Sequence, residues 1–299
     1  MRRIHGMFCL LALAAPALAA AGNAECTNWQ SAHPEWIWCD DFESDSSLET
    51  NYFDVDRQGG RFGVVNTTAF GGTSSLRGNY QTGVSEAGSL GLSFGKTVVA
   101  PKRNTSENFE DVYWRVYMKT SSNWIGNPIK MSRATIFVAS NWSQAAIGHV
   151  WEDSENGSSL GVDPASGVSG SQVVTTKYND FDHLTWLGKK NATTPVYGTS
   201  YRDKWVCVEA RMKLNTPGGS DGEMSLWIDN KLEAQSSNLN FRGSYTTYGI
   251  NALLLENYVN AGAPQNQQRY FDNFIVSRSR IGCQGSGPVP NPPTDVKAQ

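Results

Sequence analysis

The sequence predicts an all-β fold of two antiparallel sheets packed face to face, and three observations carry that reading. Helical periodicity is almost absent, whereas short alternating or continuous apolar runs recur between clusters of Gly, Asn, Ser and Pro. The 299 residues include ten Trp, eleven Tyr and twelve Phe, side chains that fit a pleated, half-buried surface. No repeat of the length that a propeller blade or solenoid turn needs is visible.

In chain order, the first element is an export signal. Arg2 and Arg3 precede an apolar run from Met7 to Ala21, and small residues follow at Ala19, Ala21 and Ala24, so residues 1–24 are expected to be cleaved. The run is shorter than the ~20 residues that span a bilayer. A secreted product and no membrane partner are therefore expected.

Strands are expected at residues 36–43, 61–66, 73–80, 89–98, 111–119, 133–140, 144–152, 205–214, 223–230, 247–258 and 269–278. Alternation in 111–119 puts Val112, Trp114, Val116 and Met118 on one face, and Tyr113, Arg115, Tyr117 and Lys119 on the other. Val206, Val208, Ala210 and Met212 form a similar stripe opposite Trp205, Glu209 and Arg211, so each sheet is expected to be covered on one side only. Asp229-Asn230 reads as a hairpin turn between Met224, Leu226 and Ile228 on one arm and Leu232 on the other. Strands of this number and length hide their apolar faces in a jelly-roll sandwich. One domain over 25–283 is expected, followed by a Pro/Gly-rich disordered tail at 284–299.

Net charge is −3, and loss of Arg2 and Arg3 takes the mature chain to −5, which argues against a nucleic-acid partner. Cys26, Cys39, Cys207 and Cys283 survive cleavage, an even set suited to an oxidising compartment. Cys26 with Cys39 is the preferred bridge because their short separation pins the N-terminus. A monomer is expected. Walker loops, dinucleotide fingerprints, HExxH and GxSxG motifs are absent from the sequence.

Three segments, "WCDDFES", "WVCVEARMKLNTPGGSDGEMSLWIDNKL" and "LLLENYVNAGAPQNQQRYFDNFIVSRSRIGC", resemble the concanavalin A-like superfamily. Within it, the chain is similar to jelly-roll polysaccharide lyases, including alginate, glucuronan and heparin-lyase-like proteins, over most of residues 36–283. Jelly-roll alginate lyases carry an Arg-bearing strand, a Gln-Ile-His strand and a late Tyr-rich strand, in that order. The resemblance implies Arg133 in "KMSRATIF", His149 in "AAIGHVW" and Tyr258 in "LLLENYVN" as the catalytic set. Here Ile147 stands where that family has Gln, Thr135 where it commonly has Glu, and the Lys and Gly of its Tyr-rich strand are missing.

The implied activity is β-elimination on a uronic-acid-containing polysaccharide. That chemistry needs a cation or amide to neutralise the carboxylate before C5 can lose its proton, and Arg133, Lys130 and Arg115 are candidates. A tyrosine beside a cation can move the proton, which suits Tyr258, with His149 as base or orienting group. Trp142, Trp151 and Tyr201 are candidate faces for stacking on sugar rings. In calcium-containing members of the superfamily an early acidic residue meets a late strand Asp. This implies Glu43 and Asp272 as Ca2+ ligands, with "FGGTSS" completing the oxygen shell. A non-catalytic, lectin-like carbohydrate-binding protein is the alternative, since the scaffold does not assign function. A glycoside hydrolase is disfavoured because no Glu-x-Asp-x-Glu strand occurs.

Overall fold

Alternating strands must bury one face, and the chain does so by stacking two eight-stranded antiparallel sheets. The computed structural model describes residues 25–100, 103–126, 130–152 and 157–285. The expected signal, and the expected tail beyond Gly285, lie outside the described residues.

The strands run β1 (Trp36–Asp40), β2 (Asp54–Asp56), β3 (Phe62–Val65), β4 (Ser75–Tyr80), β5 (Glu86–Ser93) and β6 (Asp111–Thr120). There follow β7 (Lys130–Phe137), β8 (Gln144–Glu152), β9 (Leu160–Ser166), β10 (Val168–Ser169), β11 (Gln172–Val173), β12 (Thr185–Trp186) and β13 (Lys190–Asn191). The last five are β14 (Val206–Lys213), β15 (Gly222–Ile228), β16 (Lys231–Leu239), β17 (Ala252–Tyr258) and β18 (Gln267–Ser277). The first sheet has the order β16-β15-β14-β6-β18-β4-β3, with β1 pairing the second half of β18. The second has the order β12-β9-β8-β7-β17-β5-β2, with β13 also on β9. Neighbours come from distant parts of the chain, the crossed antiparallel connectivity of a jelly roll.

Between the layers, Val112, Trp114, Val116 and Met118 of β6 meet Ala134, Ile136, Ala146, Val150, Leu253 and Leu255 of the second sheet. Gly148 on β8 is required at this interface, because a Cβ there would lie 3.0 Å from the Met212 sulfur. The Asp229-Asn230 turn has both residues in the left-handed region (φ 48° and 68°), the geometry whose twist matches an antiparallel hairpin.

The structure corrects three expectations. The first sheet is covered on both sides over β6 and β14. Arg115, Tyr117 and Glu209 are buried because the segments 25–35 and 278–285 fold across them, and Tyr113 is buried beside Arg211 and Trp227. β2, β9 and β16 are strands that the sequence reading left out. β9 carries Gly161 and Pro164, residues that read as punctuation, and β16 is a polar edge strand. The chain turns out of β7 at Phe137, short of the expected 140, because Trp142 sits in a left-handed bend at φ 61°.

Both disulfides form within the described residues, Cys26–Cys39 and Cys207–Cys283. The first pins the N-terminal segment to β1, as expected, and the second ties the C-terminal segment to β14. No helix among the described residues is long and apolar enough to cross a membrane.

Candidate functional site

The outer face of the second sheet carries a groove of about 650 Å³ over β8, β7, β17, β5 and β2. Alternation on β17 sends Leu253 and Leu255 inward and Leu254, Glu256 and Tyr258 outward. On β7 the pairing slips between Lys130 and Ser132, a bulge that turns Lys130 onto the same outer face as Arg133. The β17 ladders slip at the same level, between Leu255 and Tyr258 against β7 and between Glu256 and Tyr258 against β5.

Bulges expose carbonyls that a regular ladder would satisfy, and here Arg269 of β18 answers them from below. Its buried guanidinium donates to the carbonyls of Lys130 (3.0 Å) and Glu256, to Asn257 Oδ1 (2.9 Å) and to the Tyr197 hydroxyl (3.2 Å). Lys130 and Tyr258 are consequently held side by side on the floor, with the Lys130 ammonium 4.6 Å from the Tyr258 ring centroid. Burial pulls the Lys130 ammonium below its ordinary range, with the Glu256 charge opposing and the Arg133 charge adding.

At the centre of the sheet Arg133 and Glu256 form a buried ion pair, Nη2 to Oε1 2.5 Å. The guanidinium also donates to Asn179 Oδ1 at 2.6 Å and to the Tyr178 hydroxyl. Asn179 sits in the left-handed region at φ 53° and donates its backbone N–H to Gln144 Oε1 at 3.1 Å, which fastens the 175–180 segment onto the sheet. Glu256 Oε2 has no partner, although the residue is only 6 % exposed and lines the groove.

His149 faces Arg133 across the β7–β8 ladder and is fully buried. Its ring lies beneath Trp151 (centroids 3.8 Å) and Trp186 (5.6 Å). Nδ1 lies 2.8 Å from the Asp163 carbonyl, which can only accept, so Nδ1 carries the proton and Nε2 is left unprotonated and unpartnered. Burial, then the Arg133 charge, holds the imidazole well below its usual range, so it is neutral.

Arg133, His149 and Tyr258 thus share one face, but only Tyr258 lines the open groove. Arg133 is covered by Tyr178 and Asn179, and His149 by the two indoles. Lys130, Trp151 and Trp142, the other candidate substrate contacts, line the groove. Arg115 lies instead on the first sheet, donating to the carbonyls of Gly282 (3.1 Å) and Asn273 (3.3 Å) and pairing with Glu25, so the N-terminal segment uses up its charge. Tyr201 packs against the main core, outside the groove lining.

Sequence reasoning missed Glu256, Tyr178, Asn179, Trp186, Phe181, Asp54 and Asp56. A carboxylate inside the apolar run "LLLEN" was the one available signal, for Glu256. Trp186 (42 % exposed) and Phe181 (41 %) form an aromatic wall beside Trp151, whose Nε1 lacks a partner.

Glu43 and Asp272 clamp one loop. Glu43 Oε1 accepts from the Thr73 and Ser74 N–H groups (2.9 and 3.0 Å), and Asp272 Oδ2 from those of Phe70 and Gly71 (2.6 and 3.2 Å). Burial pushes Asp272 up to about 7, the loop N–H groups opposing and the Glu43 charge adding. The buried Asn273 Oδ1 beside Gly71 is unpartnered. Hard oxygens of this kind suit calcium. Among the described residues no cluster of three or more His, Cys, Asp or Glu side chains is arranged for a metal.

No family model matches the chain, and no curated protein matches it. Among solved structures it is similar to an alginate lyase from a Chlorella virus, at 16 % identity and TM-score 0.54, covering 81 % of this chain and 99 % of that one. An endo-β-1,4-glucuronan lyase from the fungus Trichoderma reesei aligns at 13 % identity and TM-score 0.52, over 81 % and 95 % of the two chains. An alginate lyase from Aplysia kurodai aligns at 12 % identity and TM-score 0.52, over 81 % and 98 %. The chain has the fold of the jelly-roll polysaccharide lyases, as its sequence resemblance implied.

Arg133→Met should cost about 3–5 kcal/mol in urea unfolding, because it strands the Glu256 carboxylate in the buried layer. Adding Glu256→Gln should recover most of that loss, and an equal loss in the double variant would contradict a paired-charge role. His149 must gain a proton on unfolding in acid. Its contribution to stability is therefore present above its ordinary value of 6.5 and lost as pH falls below it. The stability difference between wild type and His149→Gln should shrink by up to about 1.4 kcal/mol per pH unit in that range. A difference independent of pH would mean that the ring is solvated.

Proposed function

We propose that the protein is exported and cleaves a uronic-acid-containing polysaccharide by β-elimination in this groove, with Tyr258 and Lys130 as the catalytic pair. The observation that carries the reading is the meeting of Lys130 and Tyr258 on the floor, at a double bulge pinned by Arg269, beside an aromatic wall. Export is supported by the two disulfides, which persist in oxidising compartments.

A uronate ring stacked on Trp151 or Trp186 would bring its carboxylate to the Lys130 ammonium, a compact cation that neutralises it and acidifies C5–H. Tyr258, reacting as its phenolate, takes the C5 proton, the C–H electron pair becomes the C4–C5 double bond, and O4 departs with that proton returned from the phenol so formed. Arg133 and His149 act at one remove, Arg133 by holding Glu256 and Asn179 in place, His149 as a neutral support under the indoles. A second reading, carbohydrate binding without cleavage, is favoured by that same sealing of Arg133 and His149, which leaves in reach only one, Tyr258, of the three groups the resemblance implied.

Under the lyase reading a panel of uronate polymers should yield product with the absorbance of a new unsaturated end. Tyr258→Phe should lower kcat/KM by about 10²–10⁴-fold. Lys130→Met should lower kcat as well as raise KM. Saturable binding with no unsaturated product would leave the binding reading in its place, and a Tyr258→Phe variant as fast as wild type would remove Tyr258 from the catalytic pair. We also propose that Glu43 and Asp272 hold a structural Ca2+. Calcium at about 100 times Kd should then stabilise EDTA-treated protein by about 2.7 kcal/mol. Magnesium should not, and Glu43→Gln should abolish the effect; a melting temperature indifferent to calcium would discard the site.

A further inference from the structure

One wall of the groove has a charge that a chain of consecutive uronates would meet badly. Asp54 and Asp56 of β2 and Glu86 of β5 line the side opposite Trp151 and Trp186. Among the described residues none of the three forms an ion pair. Gln58 bridges two of them, its Nε2 donating to Asp56 Oδ2 at 2.6 Å and Glu86 Oε2 at 2.8 Å, while Arg61 donates to Gln58 Oε1 at 2.7 Å from behind, so the wall is ordered with its cation held off the carboxylates. Asp54 is pushed up by burial first and then by the charges of Asp56 and Glu256, so the carboxylates feel one another across the groove.

The independent observation is Glu256 Oε2. It belongs to a residue only 6 % exposed that lines the same groove, and it is a buried acceptor with no hydrogen-bond partner at the boundary between floor and wall. On the opposite side the Trp151 indole N–H is an unpartnered donor. A ligand complementary to both presents an acceptor toward Trp151 and Lys130 and hydrogen-bond donors toward Glu256, Asp54, Asp56 and Glu86. A carboxylate-bearing sugar fits the first position. At the second, its carboxylate would face three unpaired negative charges.

Resting on the lyase reading, we propose that the substrate is a mixed polysaccharide in which a uronate at Lys130 and Tyr258 is flanked, on the β2–β5 side, by a donor-rich sugar without a carboxylate. The wall acts as a filter against homopolyuronates. Hydroxyls of a neutral sugar and the ammonium of an amino sugar share this donor chemistry.

The test measures binding of the full chain by calorimetry, so that it reads the subsite whether or not cleavage follows. The probes are oligosaccharides of equal length: a homopolyuronate from alginate or glucuronan, an alternating uronate–neutral hexose, and an alternating uronate–hexosamine with free amines. The homopolyuronate should bind at least about tenfold more weakly than the better alternating probe, and its binding should strengthen with salt as repulsion is screened. Asp54→Asn/Asp56→Asn/Glu86→Gln should erase the preference chiefly by improving homopolyuronate binding. The single Glu86→Gln should move it part of the way and guards against misfolding of the triple variant. An advantage of the amine probe that fades with salt identifies an ammonium, whereas a salt-insensitive preference identifies hydroxyls.

Equal or tighter homopolyuronate binding, a preference untouched by the wall substitutions, or no binding of any probe overturns the proposal. Preferential binding of an alternating probe without unsaturated product would sink the lyase reading alone.

Discussion

The ion pair between Arg133 and Glu256 is the constraint from which the site's geometry follows. Two charges in the outer layer of a sheet are tolerated only when each is paired and nearly every remaining donor is answered, because desolvation otherwise exceeds the Coulombic gain. Arg133 meets that condition by recruiting Tyr178 and Asn179 from the distant 175–180 segment. That segment then covers the guanidinium and sets one end of the groove. Tyr178 also packs edge-on against Trp142, which shares the apolar plug of Phe137 and Leu254. Burial first, and then the same guanidinium charge, disfavours protonation of His149, so Arg133 both gathers its own cover and adds to the neutrality of its neighbour.

A second cation works from the other layer. Arg269 reaches through the sandwich to carbonyls on β7 and β17, bonding only neutral acceptors among those it meets. Regular strands would have kept Lys130 in phase with its ladder and away from Tyr258. The slips bring the two together, and buried donors make the slipped backbone tolerable, in keeping with the tendency of bulges to re-aim side chains beside functional sites.

Much of the scaffold was legible, because alternation reports which way a side chain points whenever one face is apolar. Val112, Trp114, Val116 and Met118 declared their face in this way, as did Gly148 and Val150 against His149 and Trp151. Alternation does not report what lies on the far side. Arg115 read as an open cation because Glu25 and Gly282, its partners, lie 90 and 167 residues away. The burial of Arg133 and His149 was invisible in the same way, because Asn179 and Trp186 arrive from a loop and a two-residue strand. Asp54 and Asp56 were missed because β2 is three residues long, too short for a period to show. Tyr258 and Lys130 were legible singly, but their adjacency depends on bulges that no local pattern announces.

Of the ten tryptophans, all within the described residues, only Trp186 is exposed, and it stands on the aromatic wall of the groove. The other indoles are wholly or partly shielded from solvent. A sugar ring settling on that wall would dehydrate the most water-accessible fluorophore of the molecule while disturbing few of the rest. The protein therefore carries its own optical gauge of occupancy, at the place where a carbohydrate would rest.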